Sequence, residues 1–327
     1  MKTPSNIAEK YVSSGNKDTR SGFGAGLLEI GKENENIVAL CADLTGSVKM
    51  TDFAGAFPGR FFQCGIAEAN MVSTAAGMTV GGKIPFIGTF ANFATGRIYD
   101  QIRQTVAYSK KNVKIAASHA GLTLGEDGAT HQMMEDIGLM KMLPNMTVIV
   151  PADYNQTKAA TIAAAEHYGP VYLRFGRPKV PVFTPEIQKF TIGRAMLLQE
   201  GTDVSIFATG HLVWSSLQAA ILLAEKGISA EVFNIHTIKP LDEEGILKAA
   251  EGMPFILTVE DHYPEGGLGE TVASAIGQKV KVFSQAVTKL PHSGKSDELL
   301  AEQGLDARGI ADRIRKLVES ENKQTVT

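Results

Sequence analysis

An α/β architecture of two doubly wound domains, each with a mostly parallel sheet flanked by helices, follows from three features of the chain. Short apolar runs recur along it, among them 37–42, which is unbroken, and 113–117 and 204–208, each interrupted by one polar residue. Runs of that length without polar alternation are typical of strands covered on both faces. Helical stretches separate consecutive runs, as the crossovers of parallel strands require. A length of 327 residues is enough for two cores. We place the first domain at 1–180, a linker at 181–190 and the second domain at 191–327.

Residues 1–19 are polar and read as a mobile arm before a helix over 19–31. The run 37–42 is the first strand and ends in the polar loop Asp43-Leu44-Thr45-Gly46-Ser47. A second strand over 61–66 precedes Glu68 and a helix over 69–80. That helix is small and apolar nearly all round, which predicts burial on every side. Then come a strand over 84–87, a loop over 88–92 and a helix over 97–108. The run 113–117 empties into Ser118-His119-Ala120-Gly121-Leu122-Thr123-Leu124-Gly125-Glu126-Asp127-Gly128-Ala129-Thr130-His131-Gln132. A helix over 133–143 follows, with Thr130 placed to cap it. Strands at 146–150 and 171–175 complete the first array. Residues 176–190 carry Pro178, Pro181 and Pro185 without periodicity and read as the linker region. Strands at 204–208, 231–235, 255–259 and 280–283 make the second array. Ser296 or Asp297 caps the last helix, and the polar tail from 319 frays.

Composition narrows the function. A net charge of −3 with no basic block argues against nucleic acid as a partner. No apolar run is long enough to span a bilayer and the first 15 residues hold no apolar signal core. Cys41 and Cys64 lie in apolar strand-like runs without a zinc or redox spacing, so they read as buried free thiols in a reducing compartment. These features point to a cytoplasmic protein.

The 118–132 loop is the principal candidate site. It sits where a strand empties toward a helix, the place at which open α/β sheets bind ligands. It carries His119, His131, Glu126 and Asp127 on a backbone made adaptable by glycine. A solvated turn is the ordinary explanation of a lone Glu-Asp-Gly. Two imidazoles beside two acids in one loop make a polar-ligand site as good a reading. Other patterns are set aside. Gly22-Phe23-Gly24-Ala25-Gly26 lacks the preceding strand and final spacing of a dinucleotide fingerprint. Gly294-Lys295-Ser296 has Lys289 where a phosphate-binding loop needs glycine. Glu265-Gly266-Gly267-Leu268-Gly269 is explained by close helix–sheet packing. His131 and Glu135 share a predicted helix face but no third metal ligand accompanies them, so no residue is assigned to a metal.

The 118–132 loop, Asp43 to Ser47, Ile66-Ala67-Glu68-Ala69-Asn70-Met71-Val72-Ser73, Gly88-Thr89-Phe90, Arg97-Ile98-Tyr99-Asp100-Gln101-Ile102-Arg103 and Val259-Glu260-Asp261-His262 together resemble the C-terminal half of a transketolase. The resemblance covers nearly the whole chain. It implies a thiamine-diphosphate-binding pyrimidine domain followed by a transketolase C-terminal domain. The Gly-Asp-Gly motif of that family's diphosphate-binding domain is absent from the sequence. The starting Met and polar arm are expected of a separately encoded subunit. The resemblance therefore implies an N-terminal-half partner chain, which holds the Mg²⁺ (or Ca²⁺), and an α2β2 heterotetramer.

By the same resemblance Glu68 is the catalytic acid on the aminopyrimidine ring nitrogen, a task that needs a carboxyl group able to share a proton. Otherwise it is an acid placed by a helix dipole. Phe90 and Phe93 resemble the aromatic floor under the pyrimidine, and core packing is the plain alternative. Where many relatives carry a further aromatic, this chain has Ala94-Thr95-Gly96, with Tyr99 beyond. Asp127 is similar to the acid that reads a sugar hydroxyl, His131 to an imidazole near the reacting carbons, and Asp43 to a residue touching cofactor or interface. His119, Ser47, Arg20 and Arg177 (or Arg174) resemble a substrate-phosphate cradle, a task for which the planar guanidinium is suited. His262 is left outside the site. The implied activity is transfer of a two-carbon ketol unit between sugar phosphates. Two other readings share the fold: the β subunit of a 2-oxo acid dehydrogenase, which has no use for the Gly-Glu-Asp-Gly-x-Thr-His-Gln loop, and a non-catalytic regulatory subunit, which would not retain Glu68 and Asp127.

Overall fold

The computed structural model describes residues 11–324. The first sheet contains strands β2 (Ile37–Cys41), β3 (Phe61–Gln63), β4 (Ile84–Phe90), β5 (Lys114–Ser118), β6 (Thr147–Ile149) and β7 (Val171–Arg174). Their order is β6-β7-β5-β4-β2-β3, all parallel. The second sheet contains β9 (Met196–Gln199), β10 (Val204–Ala208), β11 (Ala230–Asn234), β13 (Phe255–Val259) and β14 (Lys281–Gln285). It is parallel except for β9, which closes one edge antiparallel to β11. The two mostly parallel, helix-flanked sheets are as expected, because unbroken apolar runs such as Ile37–Cys41 are buried at every residue.

Several segments differ from the sequence reading. The 1–19 arm lies outside the described residues up to residue 10. Its end is ordered as β1 (Asn16–Asp18), which pairs antiparallel with β8 (Lys179–Pro181) inside the proline-bearing segment. That segment is also pinned by the buried Asp153, whose carboxylate accepts from the Phe183 and Thr184 backbone N–H groups at 2.8 and 2.7 Å and from Thr184 Oγ1 at 2.7 Å. β12 (Thr237–Lys239), from the second half of the chain, joins the far edge of the first sheet beside β6. Ile235, Ile238, Ile256 and Leu268 accordingly pack in the same core as Leu40, Ile87 and Ile115. Segments this short carry too little pattern to be seen as strands in the sequence.

The Glu68–Met78 helix is buried on one face only. Met71, Val72, Ala75 and Ala76 face the core, whereas Ala69, Asn70, Ser73 and Thr74 are exposed. Cys41 is buried but Cys64, just past the short strand β3, is only partly so, which corrects the reading of two buried thiols. The helix after the glycine-rich loop begins at Asp136 and receives no side-chain cap, so Thr130 does not cap it. Ser296 and Asp297 likewise do not cap; Lys295 precedes the Ser296–Glu302 helix, and a further helix, Ala307–Gln324, extends through the tail expected to fray. Residues 102–108, inside the expected 97–108 helix, form a widened π-helical turn, and a second one over 93–97 precedes it. No helix among the described residues is long and apolar enough to cross a membrane.

Gly22 and Gly26 let the Thr19–Glu33 helix pack backbone to backbone on the Tyr154–Glu166 helix. A Cβ on Gly22 would strike the Tyr154 carbonyl, and one on Gly26 would lie 2.9 Å from that of Lys158. Gly24 meets the Lys49 carbonyl in the same way. The glycine motif is thus a packing device, and it sets Arg20, at the start of that helix, beside the 43–47 loop.

Asp153→Ala removes the cap of the Tyr154–Glu166 helix, where Asp153 accepts from Gln156 N–H at 2.9 Å, along with three further bonds to buried groups. We expect a loss of roughly 3–5 kcal/mol in urea unfolding.

Candidate active site

The loops leaving β2, β3, β4, β5 and β7 all start from the carboxyl edge of one parallel sheet and carry the candidate residues except Arg20, which comes from the first turn of the Thr19–Glu33 helix. Three non-glycine residues there take left-handed backbone, Asp43 and His119, each at φ 58°, and Lys49 at φ 62°. Such a conformation costs about 1–2 kcal/mol and is kept where neighbours fix it. His119 is fixed by a stacked Phe90 ring at 3.8 Å, by Ser118 Oγ at 2.9 Å from Nδ1 and by Arg20 Nη1 at 3.3 Å from Nε2. Because a guanidinium only donates, Nε2 accepts and the ring proton sits on Nδ1, donated to Ser118. Burial, with the Arg20 and Arg177 charges, holds the imidazole down to about 3.

Arg20 also donates to the Ser47 carbonyl at 3.2 Å and pairs with Asp18 at 3.2 Å. Arg177 donates to the Leu124 carbonyl at 2.8 Å and forms an ion pair with Glu126. Arg20 and the neutral imidazole are thus in direct contact, with the Ser47 carbonyl anchoring Arg20, and the Arg177 charge lies close enough to act on both. Arg174 is not available to a ligand. It is 4% exposed, donates from Nε to Asp136 at 2.7 Å and from Nη2 to the Asp261 carbonyl oxygen at 2.8 Å. Of the two arginines considered, Arg177 is the one left partly exposed at the sheet edge.

Glu68, 3% exposed, opens the Glu68–Met78 helix, and both of its carboxylate oxygens accept from Arg97 Nη1, at 3.0 and 3.1 Å. The same guanidinium lies over the Phe93 ring at 4.2 Å. Phe93 stacks with Phe90 at 5.7 Å and takes the His131 ring edge-on at 5.5 Å. Contacts therefore run unbroken from Glu68 through Arg97, Phe93, Phe90 and His119 to Arg20. Tyr99 turns to the core instead of toward Phe93. Asp43 and Asp127 are exposed at the rim, and neither carboxylate has a partner among the described residues. His131 Nδ1 lies 2.9 Å from Thr130 Oγ1. It is not on a helix, so the shared face with Glu135 does not exist.

The glycine-rich loop is gripped from the second domain. Asp261 accepts from the Leu122 N–H at 2.9 Å and lies so close to Gly121 (φ 77°) that a Cβ there would overlap its carboxylate. Glu260 accepts from the Leu268 and Gly269 N–H groups at 2.6 and 2.8 Å, so the Gly266-Gly267 turn cradles an internal carboxylate that burial pushes up to about 7. His262 is fully buried against Gly138 and Tyr263. Val259 to His262 is thus the clamp behind the loop. Arg97 and Asp261 lie within motifs quoted from the sequence but were given no place in the site. The available signal was Arg97, the only Lys or Arg between Lys83 and Arg103.

Chemically, a buried carboxyl beside two half-buried phenyl rings suits a flat heteroaromatic ring that meets an acid at its edge. The guanidinium pair around a neutral imidazole suits a sugar anion. Among the described residues no group of three or more His, Cys, Asp or Glu is placed to hold a metal ion.

Comparison with known proteins places the chain by sequence and fold. The family described as transketolase, pyrimidine binding domain, matches residues 16–182, and transketolase, C-terminal domain, matches 193–310. A Methanocaldococcus jannaschii protein named for a transketolase C-terminal section is 47% identical over 93% of this chain and 98% of its own length. A 6-deoxy-6-sulfo-D-fructose transketolase subunit of Clostridium sp. is 40% identical over 90% of this chain and 93% of its own. A solved "split gene transketolase, inactive beta4 tetramer" superposes with a TM-score of 0.86 at 43% identity, covering 93% of this chain and 99% of that one. Human transketolase, a single longer chain, is 38% identical, and this chain spans 49% of its length.

Histidine NMR tests the cradle. His119 should remain neutral, with its proton on Nδ1, as pH falls from 7 to 4, because its folded value lies near 3. The unfolded chain takes up that proton below about 6.5, so His119 subtracts stability as pH falls through this window and His119→Gln should lessen the loss.

Proposed function

Because the chain belongs to the transketolase family and corresponds to its C-terminal section, we propose that it is one subunit of a two-chain transketolase. With an N-terminal-half partner it moves a two-carbon ketol unit from a ketose phosphate to an aldose phosphate. Family membership implies thiamine diphosphate as cofactor. The observation that carries the reading is the unbroken run of contacts from the Glu68 carboxylate to the Arg20 guanidinium, which puts an acid, two aromatic plates and an anion cradle along one sheet edge.

Glu68, Phe90 and Phe93 fit an aminopyrimidine by their own chemistry. When bound, thiamine diphosphate supplies the carbanion chemistry that breaks and makes the carbon–carbon bond. Glu68 holds or returns a proton at the pyrimidine ring nitrogen, and Phe90 and Phe93 fix the plane of the ring. Asp43, at the rim, touches the cofactor or the partner chain. Arg20, His119, Ser47 and Arg177 bind the terminal phosphate of the sugar. There the neutral His119 adds shape without a third charge and, accepting from Arg20 at Nε2, orients that guanidinium. Asp127 orients a sugar hydroxyl, and His131 exchanges a proton near the reacting carbons. The divalent metal, Mg²⁺ or Ca²⁺, is held mainly by the partner, and the assembly is α2β2.

The test is ketol transfer from xylulose 5-phosphate to ribose 5-phosphate by this chain co-expressed with a Gly-Asp-Gly-bearing partner. Glu68→Ala should lower kcat by about 10²–10⁴. Arg177→Ala should raise KM for the phosphorylated acceptor by roughly 10–100-fold with a smaller change in kcat. A pair that binds cofactor but moves no ketol group between these sugars would refute the substrate assignment.

A further inference from the structure

Arg97 stands in a position that the catalytic reading does not use. One of its nitrogens, Nη1, is shared by both oxygens of the buried Glu68 carboxylate at 3.0 and 3.1 Å, and its guanidinium carbon lies 4.2 Å from the centroid of Phe93. A guanidinium is flat, donates through N–H groups in its plane and stacks on aromatic faces. These are the two contacts, an acid at the edge and an aromatic ring at the face, that the proposed function gives to the aminopyrimidine. Arg97 meets them from an open position. Its side chain is 49% exposed. It closes a π-helical turn and follows Gly96, around which an added Cβ would touch only Asn92 Oδ1, at 3.4 Å. It therefore has room to swing toward solvent.

We propose that Arg97 is a resident stand-in for the cofactor's aminopyrimidine. It holds Glu68 and covers Phe93, and it must release both before the ring is seated. The inference rests on the assignment of Glu68 and Phe93 to the pyrimidine. It makes Arg97 the residue that sets cofactor affinity and the rate of cofactor entry. Until it leaves, Arg97 also keeps the buried Glu68 charge paired, which guards the half-site against the cost of an isolated buried ion.

The test is calorimetric titration of thiamine diphosphate, with Mg²⁺ present, into the complex of this chain and its partner, with complex integrity checked by sedimentation. Arg97→Ala should bind thiamine diphosphate roughly tenfold more tightly than the wild-type complex, from the loss of one ion pair and one cation–π contact. Stopped-flow association should be faster in the same variant. Arg97→Lys, which keeps the charge but not the flat fork, should fall between the two. Unchanged or weaker binding by an intact Arg97→Ala complex would overturn the proposal and make Arg97 a support for the bound ring. The double variant Arg97→Ala/Glu68→Gln separates the two readings. If it binds more weakly than Arg97→Ala, Glu68 does contact the ring, and the proposal stands or falls on Arg97 alone. If it binds as tightly as Arg97→Ala, the pyrimidine assignment itself is wrong and the Arg97 proposal falls with it.

Discussion

The Arg174 guanidinium, buried where the two halves of the chain meet, is the contact on which the geometry of the candidate site depends. It rises from β7 and donates to Asp136, at the start of the helix after the glycine-rich loop, and to the backbone oxygen of Asp261 in the second domain. Tyr172 OH donates to the same Asp136 carboxylate at 2.7 Å, and Asp261 in turn caps the Leu122 amide. Removing one member of such a buried charge set costs about 3–5 kcal/mol, because the partner is left unpaired in a poor solvent for ions. The glycine-rich loop is therefore tied at its back to both domains, and its front, where Asp127 and His131 sit, is held through the Glu126 and Thr130 carbonyls by Ser293 and Asn92. Glycine gives the loop its shape, and the charge cluster removes the freedom that glycine would otherwise leave it.

This tie also explains why the two halves do not behave as independent cores. β12 extends the first sheet, and residues of the second half pack among those of the first. The segment between the halves is held by β1 and by Asp153. A site whose loop comes from one half and whose clamp comes from the other needs the halves in fixed register, and these contacts supply it.

The parallel strands were legible because burial on both faces leaves a mostly apolar run; β2, β5, β10 and β13 are each buried at every position, with only Lys114, Ser118, Ser205 and Thr258 polar among them. The short edge pieces β1, β8, β9 and β12 were not, since three or four residues carry no period and their pairing is decided by distant chain. The expected cap by Thr130 failed because the loop holds its end through Asp261 and Arg174, and the helix starts only where Asp136 is fixed. For the site, a strand-end loop with paired imidazoles and acids marked the right edge of the sheet, and the family resemblance singled out Glu68, Phe90 and Phe93. What sequence order conceals is contact across elements. Glu68 and Arg97 are 29 positions apart, and nothing in either neighbourhood says that one guanidinium joins that acid to Phe93.

The central claim is that this chain supplies one side of a shared site, with the diphosphate and metal side on another chain. The most direct measurement is ketol transfer at fixed concentration of this chain while a Gly-Asp-Gly-bearing partner is titrated in, with thiamine diphosphate and Mg²⁺ saturating. The account predicts no transfer without partner, a linear rise, and a break at one partner per chain. Transfer by this chain alone would contradict it.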